Sequence, residues 1–309
     1  MLIGYSGGGD QTLRGILDIV VGFNYCERGC GMHRWASFMA IGDSFTEGLE
    51  DGDGDGNYIG WADRLAAMMA AERPELRYAN LAIRGNEMDD VEREQLPEVL
   101  ATRPDLVSLC AGGNDLILPG ADVDALAERF EDMARKIREA GCDLLIFTGQ
   151  DTKMMPVMSI VRSKVAIYNS NLRAIADRHG CYVVDLWGMR SLRDRRNWAV
   201  DRLHLSSSGH QLVAVKAAQV LGVAIDPRVR AEATWEPAPA PAWVAARRSD
   251  LSWARDFLLP WIKRRMRGES MGDGLLPKRP KLVPFTQSRP ATRQRKAPQG
   301  QPTPESHTV

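Results

Sequence analysis

Cysteine, histidine and aromatic residues are all scarce in this chain: of 309 residues, Cys and His number 5 each, and Phe, Trp and Tyr together make up 7%. So few thiols, odd in number, do not make a disulfide framework, and they read as reduced structural groups. No apolar run approaches the ~18–20 uninterrupted residues of a membrane-spanning helix, so a membrane-embedded enzyme is not expected. Net charge is absent as well, with 40 Lys and Arg against 40 Asp and Glu. With 44% apolar residues, the composition is that of a globular protein.

The start of the chain reads as a poor export signal. The apolar stretch Ile16 to Phe23 has no basic residue leading into it and no small-residue cleavage site, and Asp18 interrupts it. A cytoplasmic, bacterial protein is expected, with residues 1–34 as a non-native or disordered extension and Met32 as an alternative start. Cys26, Cys30 and His33 offer three zinc-type ligands, but no fourth follows at motif spacing, so no metal is expected there.

The balanced charge conceals two unlike regions. Residues 1–225 carry 24 basic and 32 acidic groups, whereas residues 226–309 carry 16 basic and 8 acidic. The second region holds most of the prolines, which lack an amide proton and restrict their predecessors. It reads as a Pro/Ala-rich linker (226–246), a basic amphipathic segment (247–268) and a basic, Pro-rich, disordered tail (269–309). Arg247 to Arg267, with seven basic and two acidic residues around Trp253, Phe257 and Trp261, either packs back on the main domain or rests weakly on an acidic surface or membrane. No stable nucleic-acid partner is expected.

Residues 35–225 are the folded domain. Short apolar, β-branched runs alternate there with segments of helical period, the pattern of a parallel sheet covered on both faces. The expected strands are Ser37 to Ile41, Leu76 to Leu81, Leu106 to Ala111, Leu144 to Thr148 and Tyr182 to Leu186. The expected helices are Gly60 to Ala71, Asp89 to Ala101, Asp122 to Ala140, Ser159 to His179 and Ser207 to Leu221. Asp122 suits an N-cap, and Gly141 and Gly180 suit helix stops. The product is an α/β fold, a three-layer α/β/α sandwich on a five-stranded parallel sheet.

Reactive groups in such sheets gather after the carboxyl ends of the strands. After the first strand comes Gly42-Asp43-Ser44, after the second Arg84-Gly85-Asn86, after the third Gly112-Gly113-Asn114-Asp115, and before the last helix Asp201-Arg202-Leu203-His204. A serine hydroxyl becomes a nucleophile only when a base takes its proton, and a histidine oriented by a carboxylate is such a base. A glycine amide and an asparagine amide can supply fixed donors to an oxyanion. Read singly, each residue is ordinary: Ser44 an N-cap, Gly85 and Asn114 turn residues, His204 a surface histidine. Asp43 and Asp115 read as loop-holding carboxylates, and His179 and His210 as solvated or capping histidines.

Together and in this order, the four blocks resemble the SGNH hydrolase family, the GDSL-type esterases and lipases, over residues 35 to 222. The resemblance implies the flavodoxin-like sandwich of that family and a serine esterase needing no cofactor. Ser44 would be the nucleophile, His204 the general base and Asp201 its orienting carboxylate. The Ser44 and Gly85 amides and the Asn114 side chain would form the oxyanion hole. The implied partner is a small-molecule ester, cleaved through an acyl-serine. An acyltransferase using the same acyl-serine, or an interaction protein acting through its basic C-terminal region, are the competing readings.

Two further motifs lack their essential parts. Asp51-Gly52-Asp53-Gly54-Asp55-Gly56 imitates the opening of a calcium loop but ends on Ala62 where a bidentate glutamate belongs, so it reads as a flexible acidic loop beside the site. Gly7-Gly8-Gly9 lacks the lysine and strand context of a phosphate loop.

Overall fold

The computed structural model describes residues 34–52, 58–155, 158–236, 255–256, 260 and 271–286. Among them β1 (Ser37–Gly42), β2 (Arg77–Asn80), β3 (Leu106–Cys110), β4 (Asp143–Phe147) and β5 (Tyr182–Val184) lie parallel, in the order β5-β4-β3-β1-β2. Successive side chains of a strand point to opposite faces. Met39 and Ile41 of β1 accordingly enter one apolar cluster with Leu126, Phe130 and Leu172, while Phe38 and Ala40 enter the other with Trp61, Leu65 and Val213.

The covering helices follow from their apolar spacing. In Val123–Glu139 the buried residues Leu126, Ala127, Phe130, Met133, Ala134 and Ile137 recur at three- and four-residue steps along one face. Its start is fixed by Asp122, whose Oδ1 accepts from the Asp124 and Ala125 amides at 3.0 and 3.1 Å. Arg162–His179 lies beside it on the same face and ends on Gly180 at φ 63°. Gly60–Glu72 and Ser207–Leu221 cover the opposite face. A longer helical stretch, Met88–Asp90 through Leu96–Thr102, contains a π turn at Val91–Gln95.

The sheet has a sixth strand that the sequence reading placed in a disordered tail. β6 (Arg279–Pro284) pairs antiparallel with β2, with Tyr78 opposite Val283. Its two prolines obscured it, yet an edge strand tolerates a missing amide. Phe285 then donates its amide to the Leu76 carbonyl at 2.7 Å, and the Arg77 Nη2 donates to the Leu282 carbonyl at 2.8 Å. Just before the strand, the nearly buried Lys278 forms an ion pair with Asp63 and donates to the Ile59 carbonyl at 2.6 Å. Arg279 joins Asp63 at 2.7 Å. The C-terminal segment is thus bonded to the entrance of the Gly60–Glu72 helix.

The first 33 residues, Asp53 to Gly56 and nearly all of 247–268 lie outside the described residues. Among the described residues no helix is long and apolar enough to cross a membrane.

Candidate active site

β1 ends at Gly42, where φ is +146° and a Cβ would stand 2.3 Å from the Cys110 carbonyl oxygen. Only glycine fits that approach. The buried Gln95 clamps the same residue, accepting from the Gly42 amide at 2.8 Å and donating to its carbonyl at 2.9 Å. Gln95 belongs to the π turn, and such turns recur at functional sites.

Asp43 then caps the four-residue helix Ser44–Glu47, its Oδ1 accepting from the Phe45 amide at 3.0 Å. Asp43, not Ser44, is therefore the N-cap, and Ser44 occupies the first helical position. Glu47 forms an ion pair with Arg84 and accepts from the Arg84 amide at 2.6 Å. Those bonds join the Ser44 helix to the loop that carries Gly85. Gly48 and Gly60 approach so closely that a Cβ on Gly48 would lie 2.5 Å from the Gly60 Cα, bringing the short helix onto the Gly60–Glu72 helix.

His204 arrives from the other side. The loop before it turns tightly at Arg202, whose φ of 55° is unusual for a non-glycine residue. Asp201 Oδ1 accepts from the Leu203 and His204 amides at 3.0 and 3.1 Å, leaving Oδ2 to meet His204 Nδ1 at 2.5 Å. His204 Nε2 lies 3.0 Å from Ser44 Oγ. A carboxylate, an imidazole and a hydroxyl are thus in one unbroken hydrogen-bonded line, spanning 160 positions of sequence.

Asn114 joins them on one cavity of about 200 Å³, which Ser44 and His204 also line. Its Nδ2 donates to the Asn86 carbonyl at 2.8 Å and lies 3.4 Å from Asp43 Oδ2. Gly85 has φ +77° and lies one residue before Asn86. It is not among the described residues that line the cavity, so its link to the site runs through the Asn86 and Glu47 contacts.

The electrostatics follow from burial and from the bonds just described. Burial disfavours the Asp201 carboxylate, but the hydrogen bond and charge of His204, with the two loop amides, outweigh it and hold the group below the usual range. At Asp43 burial wins and pushes the group up to about 6, against the Phe45 amide and the charge of His204. Burial likewise raises Asp115 to about 6, although it accepts from the Met88 amide at 3.2 Å. Both aspartates hold loops, as their positions suggested. Among the described residues no cluster of three or more His, Cys, Asp or Glu could hold a metal ion.

His210 is neither exposed nor a cap of its own helix. It is 1% exposed and lines the cavity, and its Nδ1 accepts from the Trp61 amide at 3.2 Å, at the start of another helix. Burial pushes it down to about 4. Asp51, expected in a flexible loop, is buried against Arg64 with contacts of 2.9 to 3.1 Å and accepts from the Gly60 amide at 3.0 Å. His179, by contrast, behaves as a helix-end residue, 2.9 Å from Glu131. Gln95, Glu47 and Arg84 were not singled out in the sequence. Each acts through a partner distant in the chain, and no local motif marks such a pair.

Known proteins share the fold and the sequence pattern of this chain. The chain is 27% identical over 210 residues to the uncharacterized protein YpmR of Bacillus subtilis (strain 168), an alignment spanning 59% of this chain and 80% of that one. Its fold is similar to that of LAE5, an alpha/beta hydrolase from the metagenome of Lake Arreo, at a TM-score of 0.53 and 23% identity, covering 62% of this chain and 99% of that one. It is similar also to Axe2, an acetylxylan esterase from Geobacillus stearothermophilus, at a TM-score of 0.51 and 21% identity, covering 62% and 96%. The sequence profile of the GDSL-like lipase/acylhydrolase family matches residues 40–212, more than half of the chain, and the protein belongs to that family of hydrolases acting on ester bonds.

Proposed function

We propose that this hydrolase cleaves a carboxylic ester through an acyl-serine intermediate. Ser44 Oγ attacks the ester carbonyl as His204 Nε2 takes its proton, and Asp201 keeps the Nδ1 proton in place and favours the imidazolium that forms. The oxyanion is received by the Ser44 amide and the Asn114 Nδ2. His204 then gives its proton to the departing alcohol. Water, deprotonated by the same imidazole, releases the acid and restores Ser44.

The observation that carries this reading is the line from Asp201 through His204 to Ser44, at 2.5 and 3.0 Å. Catalytic mutants of Axe2 replace a serine, an aspartate and a histidine, the same three residue types. Reaction with a fluorophosphonate followed by peptide mass spectrometry tests the reading. The expected adduct is on Ser44; a protein left unlabelled, or labelled only elsewhere, overturns it.

A further inference from the structure

Resting on the acyl-serine reading, we propose that the C-terminal segment 271–286 is part of the catalytic unit, with Gly272 and Lys278 as positioning residues that hold the loop Ile83 to Asn86 and, through it, Ser44 and Asn114. That loop gathers the supports of the site. The Ile83 amide donates to the Gly42 carbonyl at 3.4 Å, the Arg84 amide donates to Glu47 Oε2 at 2.6 Å, and the Asn86 carbonyl accepts from Asn114 Nδ2 at 2.8 Å. The end of β1, the Ser44 helix and Asn114 are thus all tied to one short stretch. A small shift of it displaces the nucleophile from an oxyanion donor, and misplacements of that kind are costly in rate.

The far end of the chain packs directly on this loop. A Cβ on Gly272 would stand 2.2 Å from the Arg84 carbonyl oxygen and 2.7 Å from Ile83 Cγ2, so only a residue without a side chain lets the segment lie so close. Lys278 makes the second contact. Its Nζ donates to the Tyr58 and Ile59 carbonyls at 3.0 and 2.6 Å. The Arg84 guanidinium lies over the Tyr58 ring, 4.8 Å from its centroid, and Gly60, which follows Ile59, packs against Gly48 at the end of the Ser44 helix. Both contacts converge on the Arg84–Glu47 ion pair.

The seat of the segment is specific. A lysine is buried only where its charge is paired, and Lys278 is paired with Asp63, while β6 continues the sheet beside β2. The segment lies outside residues 40–212, the part of the chain that the family profile matches. Its support of the Ile83 to Asn86 loop is therefore an addition to that core.

The test uses the full chain, a p-nitrophenyl ester and fluorophosphonate labelling of Ser44. In folded Gly272→Ala, kcat and the labelling rate should fall about tenfold or more with KM within about threefold, and the pH profile should keep its shape because the Asp201–His204 pair is untouched. Lys278→Met, which removes the donor to Tyr58 and Ile59, should lower kcat about threefold or more. Arg77→Ala is the control: it removes the bond to the Leu282 carbonyl on the same strand pair, without involving the loop, and should lower the urea midpoint at unchanged kcat. Parental kcat in both Gly272→Ala and Lys278→Met, with only their midpoints lowered, overturns the proposal and leaves the acyl-serine reading standing. An equal loss of kcat in Arg77→Ala overturns it as well. If Gly272→Ala does not fold, Lys278→Met decides alone. A parent that is neither labelled nor active removes the acyl-serine reading, and the proposal with it.

Discussion

Asp201 divides its carboxylate between two tasks: Oδ1 ties down the Leu203 and His204 amides, and Oδ2 meets His204 Nδ1 at 2.5 Å. Asp201→Asn preserves the first task, since an amide oxygen can still accept from both N–H groups. It reverses the second, turning an NH₂ toward Nδ1. The imidazole then carries its proton on Nε2, where it must accept one from Ser44. The expected loss is about 10³–10⁴ in kcat on a nitrophenyl ester. A variant within threefold of the parent would remove Asp201 from the account.

Gln95 tests whether the end of β1 needs its clamp. Gln95→Met keeps the volume but leaves the Gly42 amide and carbonyl buried with neither of the bonds now made at 2.8 and 2.9 Å. The carbonyl keeps the Ile83 amide at 3.4 Å, so the loss falls on the amide and is about 1–3 kcal/mol. Urea denaturation should show that loss as a lower midpoint at unchanged slope.

The C-terminal strand makes a separate claim. In Asp63→Asn, Lys278, whose side chain is 7% exposed, remains a buried cation without its carboxylate. Breaking a buried pair on one side costs about 3–5 kcal/mol. Adding Lys278→Met should recover part of that loss. If the single and double variants are equally unstable, the pair is not what anchors the segment.

The parallel sheet and its covering helices were legible because each is a local pattern: apolar runs of strand length, helical spacing, and stops such as Gly180. The candidate site was legible for a related reason, since Ser44, Asn114 and the Asp201–His204 pair, which the structure brings together, follow strand ends in sequence order, whereas Gly85 does not line the cavity. What could not be read was any contact whose partners lie far apart. Nothing near Lys278 reveals Asp63, and Pro280 and Pro284 argue against a strand unless its neighbour is known. His210 looked like a residue on an ordinary helix face; its burial depends on the Gly60–Glu72 helix packing across it.

That burial makes His210 an acid-sensitive point. Its ordinary value of 6.5 falls to about 4 in the fold, so between these pH values the unfolded chain binds a proton that the folded protein refuses. The resulting stability is complete above pH 6.5 and is lost as pH falls toward 4. His210→Asn keeps an acceptor for the Trp61 amide but cannot titrate. Unfolding free energy measured from pH 4 to 7 should decline less steeply on acidification in this variant. Identical slopes would show that His210 is not the group responsible.

The account rests most directly on the Ser44 hydroxyl, and turnover by Ser44→Ala tests it. On a nitrophenyl ester that the parent hydrolyses, the variant should keep the fold and lose several powers of ten in kcat, because the imidazole then has no nucleophile to activate. A folded Ser44→Ala protein that turns over the ester as fast as the parent would contradict the mechanism.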